Sequence, residues 1–240
     1  MIELLLRKLR RRDPISDAEE RVLRSVLTRE TSFRAGQTIV SEGAELNDSL
    51  CLLEGFVVRF KDLRDGQRQL LELNIPGDFI DLHGYLLKPL DHGIEALTDC
   101  RLAMASHGDL TMITERYPRL TRLLWFQTMM DAAIHREWVT SLGRRPAPAR
   151  FAQLFCELKV RLEIVGLTDG NGFAMPMNQS ELADFAGLSL VHTNRSLQAL
   201  RRQGLLTLSA GRIEILDWEG LVALAEFDPG YLYMNGGEWR

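Results

Sequence analysis

Apolar and polar positions change rhythm several times along the chain. Residues 13–28, DPISDAEERVLRSVLT, put Val22, Leu23, Val26 and Leu27 at the spacing of one helix face. Ser16, with Glu19 three residues on, predicts a capping box at the start of that helix. From Phe33 to Ser106 the runs become short and β-rich. Gly36, Gly43, Gly55, Gly66 and Gly77 cut them at intervals of about ten residues, the spacing of hairpins in a sandwich or barrel. Asp65-Gly66 is a hairpin-turn dipeptide. No sequence repeat accompanies the spacing.

Helical rhythm returns at His107. HGDLTMITERYP predicts a short helix stopped by Pro118, and PRLTRLLWFQTMMDAAIHREWVTSL then runs from Pro118 to Leu142 without a breaker. Leu120, Leu124, Met130, Ile134 and Trp138 are partly heptad-like, and Trp125, Phe126 and Met129 widen the stripe. A helix apolar on more than one face needs two surfaces, which its own β-domain and a second subunit can supply. Burial in a single core satisfies the same pattern. GRRPAPAR, Gly143 to Arg150, breaks the helix. FAQLFCELKVRLEIVGL is amphipathic, and TDGNGFAMPM is a turn-rich link. LLTLSAGRIEILD predicts a hairpin turning at Ala210-Gly211, and Asp217 can cap a last short helix. The tail has no pattern and is expected to be mobile. The expected α+β organisation is therefore an N-terminal helical segment over 1–29, a β-domain over 30–112, a long dimerisation helix over 113–142, a hinge over 143–148, a C-terminal domain over 149–228 and a tail over 229–240.

Within the C-terminal domain, NQSELADFAGLSLVHTNRSLQALRRQGLL reads as two helices in tight succession. Asn178 or Ser180 can cap the first. Ala183 is small, and Gly187, four residues later, permits a left-handed turn. Helices that cross closely through a short turn need that pair. Ser189 can cap the second helix. There Thr193, Leu197 and Leu200 fall on one side, which leaves Leu190, Val191, Asn194, Arg195, Gln198, Arg201 and Arg202 outward to varying degrees. A solvated helix gains nothing from Val191 beside Arg195, but a DNA major groove accepts both. Arg195 can fork onto guanine O6 and N7, and Val191 or Leu190 can meet a thymine methyl. Ser189, at the helix start, can hold a phosphate. His192 and Asn194 lie in the same motif as further candidate contacts. A plain helical hairpin would need none of these outward groups.

Composition narrows the field. Apolar residues make up 45% of the chain and charged residues 26%, as in ordinary globular proteins. No apolar run approaches the roughly 20 residues of a membrane span. MIELLLRKLRRRDP has its basic residues after the apolar patch, the reverse of a secretory signal, so export is not expected and the segment reads as a helical turn or mobile arm. Cys51, Cys100 and Cys156 are scattered and form no CxxC pair, which fits a cytoplasmic protein without a zinc or iron–sulfur site. The net charge is −4, yet Arg144 to Arg212 holds nine basic and five acidic residues. That local positive excess suits a phosphate-binding domain. No P-loop, GxSxG, HExxH or dinucleotide fingerprint is present, and Asp81 with His83 in GDFIDLHG lacks a nucleophile or metal spacing, so no enzyme is expected.

The arrangement resembles the Crp/Fnr family of bacterial transcription regulators over roughly Glu30 to Asp228. FRAGQTIVSEG, LLEGFVVRF, the Asp-Gly turn and IPGDFIDLHG are similar to that family's cyclic-nucleotide-binding-type jelly roll. NQSELADFAGLSLVHTNRSLQALRRQGLL is similar to its winged helix-turn-helix. The resemblance implies a homodimer joined by the long helix, reading a palindromic double-stranded DNA site with one recognition helix per subunit and working with RNA polymerase. It also implies a phosphate contact for Ser189 and a guanine contact for Arg195. Val191 stands where many members carry glutamate, and Leu190 where some carry arginine. The places of the cyclic-phosphate grip look like Leu82 and Leu90-Asp91, which cannot neutralise a phosphate, so a cyclic nucleotide is not expected. No cofactor is predicted. Haem stays open, because His83, His92 and His107 lie in or near the β-domain. The alternative to a regulator is a ligand-binding or scaffolding protein whose C-terminal helices grip protein instead of DNA.

Overall fold

The computed structural model describes residues 2–233. These form two compact units, one of residues 2–61 and 72–132, the other of residues 62–71 and 133–232.

The first unit opens with α1 (Glu3–Arg12) and α2 (Asp17–Val26). The N-terminal segment is a helix of three turns, not an arm, because Leu5, Leu6 and Leu9 are buried on one face. Ser16 caps α2 through the expected box, with Glu19 answering the Ser16 backbone at 2.8 Å. Seven strands follow: β1 (Arg29–Phe33), β2 (Thr38–Val40), β3 (Asp48–Glu54), β4 (Val57–Asp62), β5 (Arg68–Asn74), β6 (Gly93–Ala96) and β7 (Cys100–Ser106). They build two sheets, ordered β1-β7-β3 and β2-β6-β4-β5. One apolar cluster, with Leu52, Val57, Ile94 and Leu102, fills the β-domain. A second joins Leu5, Leu23, Leu53, Ala103 and Ile113 under the helices. Gly55 is required where it stands: its φ is +89°, and a Cβ would lie 2.4 Å from the Asp99 carbonyl oxygen.

Two helices continue the chain, α3 (His107–Arg116), capped by Ser106, and α4 (Pro118–Arg144). The five positions read as a subunit seam are turned inward. Leu120 and Leu124 belong to the core under the helices. Met130 and Ile134 are buried, and Trp138 donates its indole N–H to Glu157 at 3.1 Å. A wide stripe leaves these inner positions to the chain's own core, and the apolar residues left in solvent on α4 are Trp125, Met129 and Val139, at 63%, 50% and 70% exposure.

The second unit contains α5 (Ala147–Val165), β8 (Thr168–Asp169), β9 (Gly172–Ala174), α6 (Gln179–Ala186), α7 (Leu190–Arg202), β10 (Leu206–Ser209), β11 (Arg212–Ile215) and α8 (Trp218–Ala225). Its strands order as β10-β11-β9-β8. The expected break over 143–148 narrows to Arg145 and Pro146. One glycine costs a helix only about 1 kcal/mol, so α4 carries through Gly143. Pro148 sits in the first turn of α5, where its missing N–H is no loss. The tail is ordered at its start: Pro229–Leu232 is a 3-10 helix, and Tyr231 donates its hydroxyl to buried Glu157 at 2.7 Å. The rest of the expected tail, 234–240, lies outside the described residues.

Candidate nucleic-acid interface

The bend between α6 and α7 is built from backbone demands. Asn178, not Ser180, caps α6: its side-chain oxygen accepts from the N–H of Ser180 at 2.8 Å and of Glu181 at 3.1 Å. Glu181 returns the bond to Asn178 N–H at 2.6 Å, which completes a capping box. At the other end Gly187 adopts φ +63° and ψ 42°, a conformation that costs any L side chain about 1–2 kcal/mol per residue. The last carbonyls of a helix have no partner inside it. Here Gln69, at the start of β5 in the stretch that groups with this unit, donates to Phe185 O at 3.0 Å, and Arg150 of α5 donates to Ala186 O at 2.8 Å. Leu188 N–H returns to Ala183 O at 3.0 Å, and Ser189 then caps α7, its Oγ accepting from His192 N–H at 3.3 Å.

With both ends set, α7 has one rotation. Thr193, Ser196, Leu197 and Leu200 are buried. Leu190, Val191, His192, Asn194 and Arg195 are exposed, Val191 at 69%. Ser189 is exposed beside them. The six residues singled out as DNA contacts therefore share one open region at the start of α7. Gln198 is exposed on the same helix and received no role from the sequence, although it lies seven residues from Val191 on the helical repeat. Beyond α7 the hairpin of β10 and β11 turns at Ala210-Gly211, with φ +49° and +70°, and pairs Leu206 with Ile215 and Ser209 with Arg212.

Several basic residues of this region are held inside the fold. Arg161 bonds Glu157 at 2.9 Å, both fully buried, and Lys159 bonds Glu163 at 2.9 Å. Arg145 meets Glu137 at 2.7 Å, and Arg201 donates to the Leu208 carbonyl. Arg195 and Arg202 face solvent.

The cyclic nucleotide-binding domain family matches residues 30–117, and the Crp-like helix-turn-helix domain family matches residues 149–224. The nitrogen fixation regulation protein FixK of Bradyrhizobium diazoefficiens is 32% identical over 202 residues, 83% of this chain and 83% of its own. The chain belongs to the Crp/Fnr family of transcription regulators. Another relative of this regulator, the transcriptional activator protein FnrL of Cereibacter sphaeroides, is 27% identical over 82% of this chain and 79% of its own. The structure of FixK2 from Bradyrhizobium japonicum superposes with a TM-score of 0.73 at 26% identity, over 82% of this chain and 96% of that one. These relatives are regulators, not enzymes.

The β-domain of the regulator carries the fold that cyclic nucleotides use, but its side chains do not fit a cyclic phosphate. Its buried cation, Arg59, is already held: Nη1 donates to Glu72 at 2.6 Å, Nη2 to Asp131 at 3.0 Å and Nε to Ile80 O at 2.9 Å. Asp81, fully buried, accepts from Leu50 N–H at 2.7 Å, and burial pushes its carboxyl up to about 7. Leu82 and Leu90 are buried, and Asp91 lies outside, bonded to His92 at 2.9 Å. A second anion would meet carboxylates. Among the histidines, His83 stacks on His92 with ring centroids 5.2 Å apart, and His107 meets Ser49 at 3.3 Å. Burial lowers His83 to about 3, so it stays neutral. Among the described residues no cluster of three His, Cys, Asp or Glu side chains could hold a metal ion, and no helix is long and apolar enough to cross a membrane.

Proposed function

We propose that this regulator is a cytoplasmic homodimer that reads a two-fold symmetric duplex site with one α7 per subunit and acts on transcription through RNA polymerase. One observation carries the reading: α7 is capped, locked in rotation by Thr193, Leu197 and Leu200, and presents Val191, Asn194 and Arg195 to solvent. Half-sites in such dimers lie about one helical turn apart. Ser189 holds a backbone phosphate at the α7 start, His192 lies against the DNA, and Arg195 reads guanine. Val191 and Leu190, in place of a carboxylate and a guanidinium, meet thymine methyls.

The subunit contact in this proposal is the outer face of α4. Trp125, Met129, Ala132 and Val139 recur at coiled-coil spacing along it. Beside Trp125 and Met129 lies an open apolar hollow of about 580 Å³, which Leu86 and Leu87 also line. A second copy of α4 would bury both.

The test is selection of the purified chain against a random duplex library, followed by titration across a salt series. An enriched palindrome with steep salt dependence is expected. A folded dimer that enriches no sequence would refute the reading and direct attention to a protein partner.

A further inference from the structure

We propose that Gln198 reads an adenine in the base pair next to the one held by Arg195. The inference rests on α7 lying in the major groove, and it adds a specificity-determining residue to that surface.

Val191, Asn194, Arg195 and Gln198 are all exposed, at positions i, i+3, i+4 and i+7 of one helix. A single helix reads the groove with that same spacing in homeodomains. At 3.6 residues per turn, Gln198 stands about 20° from Val191 and about 60° from Arg195 around the axis. It is therefore central on the stripe, not at its edge, where phosphates are met. It also lies about 4.5 Å further along the helix than Arg195. A base-pair step is about 3.4 Å, so its reach falls on the neighbouring pair. Arg202, one turn beyond, is exposed and longer, and suits the phosphates where the helix leaves the groove.

Chemistry selects the base. A glutamine amide offers one acceptor and a donor side by side. Adenine offers N7 to accept and its N6 amino group to donate, so both bonds form. Guanine presents two acceptors there and satisfies only the donor half. No aspartate or glutamate occurs in α7, LVHTNRSLQALRR, so no carboxylate competes to take a cytosine amino group. The Gln198 amide has no hydrogen-bond partner among the described residues. Arg201, by contrast, is tied to the Leu208 carbonyl.

The experiment uses the full chain and its selected duplex, with every single-base-pair change in one half-site measured by competition. Wild type should prefer adenine next to the guanine by about 5- to 150-fold, which is what one bidentate contact corresponds to. Gln198→Ala should flatten that one position and leave the others. Gln198→Glu should move the preference there to cytosine, whose amino group a carboxylate accepts. Uniform weakening at every position, with base preferences unchanged, would make Gln198 a phosphate contact and overturn the proposal. If Arg195→Ala also leaves base preferences intact, the groove reading of α7 falls with it. If only Arg195 matters, the Gln198 assignment alone is wrong.

Discussion

Truncating Trp125 to alanine tests where the subunits meet. A tryptophan buries roughly 150–250 Å² when covered. At 63% exposure, Trp125 leaves roughly 100–160 Å² for a partner to cover. At about 25 cal/mol per Å², that is about 2.5–4 kcal/mol for each copy, and two copies contribute to a symmetric dimer. Interface area converts only partly into affinity, because ordering and docking offset it. If a third of the two-copy sum survives, the loss is about 2 kcal/mol, or more than tenfold in dimer Kd. Sedimentation equilibrium over a concentration series reads this directly, with far-UV circular dichroism to show that the helix content is kept. Leu120→Ala is the companion variant. Leu120 is fully buried in its own chain, so it should cost about 2–5 kcal/mol of fold stability. Its dimer constant, measured where the protein is folded, should scarcely move. A dimer that dissociates with Leu120→Ala and survives Trp125→Ala would refute the argument and return the seam to the inner face of α4.

Arg195→Ala should weaken specific binding by about 1–3 kcal/mol and relax one base position; competition binding checks it, and lost regulation with unchanged affinity would count against a base contact. Glu157→Ala removes the acceptor shared by Trp138, Arg161 and Tyr231 and leaves a buried guanidinium unpaired. A loss of about 3–5 kcal/mol in thermal or urea unfolding is expected. Asp81 gives a pH dependence. Its folded pKa of about 7 lies above the unfolded carboxylate, so the folded state favours the protonated acid. That contribution is complete below about pH 4 and is lost as pH rises through about 7, on the order of 1 kcal/mol per pH unit between them. Urea midpoints from pH 5 to 8 should lose this downward component in Asp81→Asn, and an unchanged slope would show that other groups carry it.

Local chemistry was the legible part of this chain. Ser16 with Glu19, Gly187 before Ser189, Ala210-Gly211 and Asp217 each do what their residue types require of the backbone nearby. Such signals act within a few residues, so the chain order carries them whole. The tail was illegible for the opposite reason. Tyr231 is ordered by Glu157, 74 residues earlier, and nothing around PGYL announces that partner. The same holds for Arg59, whose two carboxylate partners stand 13 and 72 residues away.

The α4 stripe shows a subtler limit. Periodicity states which residues share a face, not what covers that face. Leu120, Leu124, Ile134 and Trp138 on one side, and Trp125, Met129 and Val139 on another, are both apolar enough to be a seam. The fold has to cover one of them before the other is free: the core under the helices takes Leu120 and Leu124, and Trp138 packs on Phe185 and bonds Glu157. Charge counting between Arg144 and Arg212 has the same reach: position in the chain gives a net positive segment, and burial decides which of its cations reach solvent. Arg161 is consumed by Glu157 and Lys159 by Glu163, whereas Arg195 stands in solvent because Thr193, Leu197 and Leu200 hold the opposite face of α7 inside. A DNA-facing residue is therefore better recognised by what its helix buries behind it than by the charge of the segment around it.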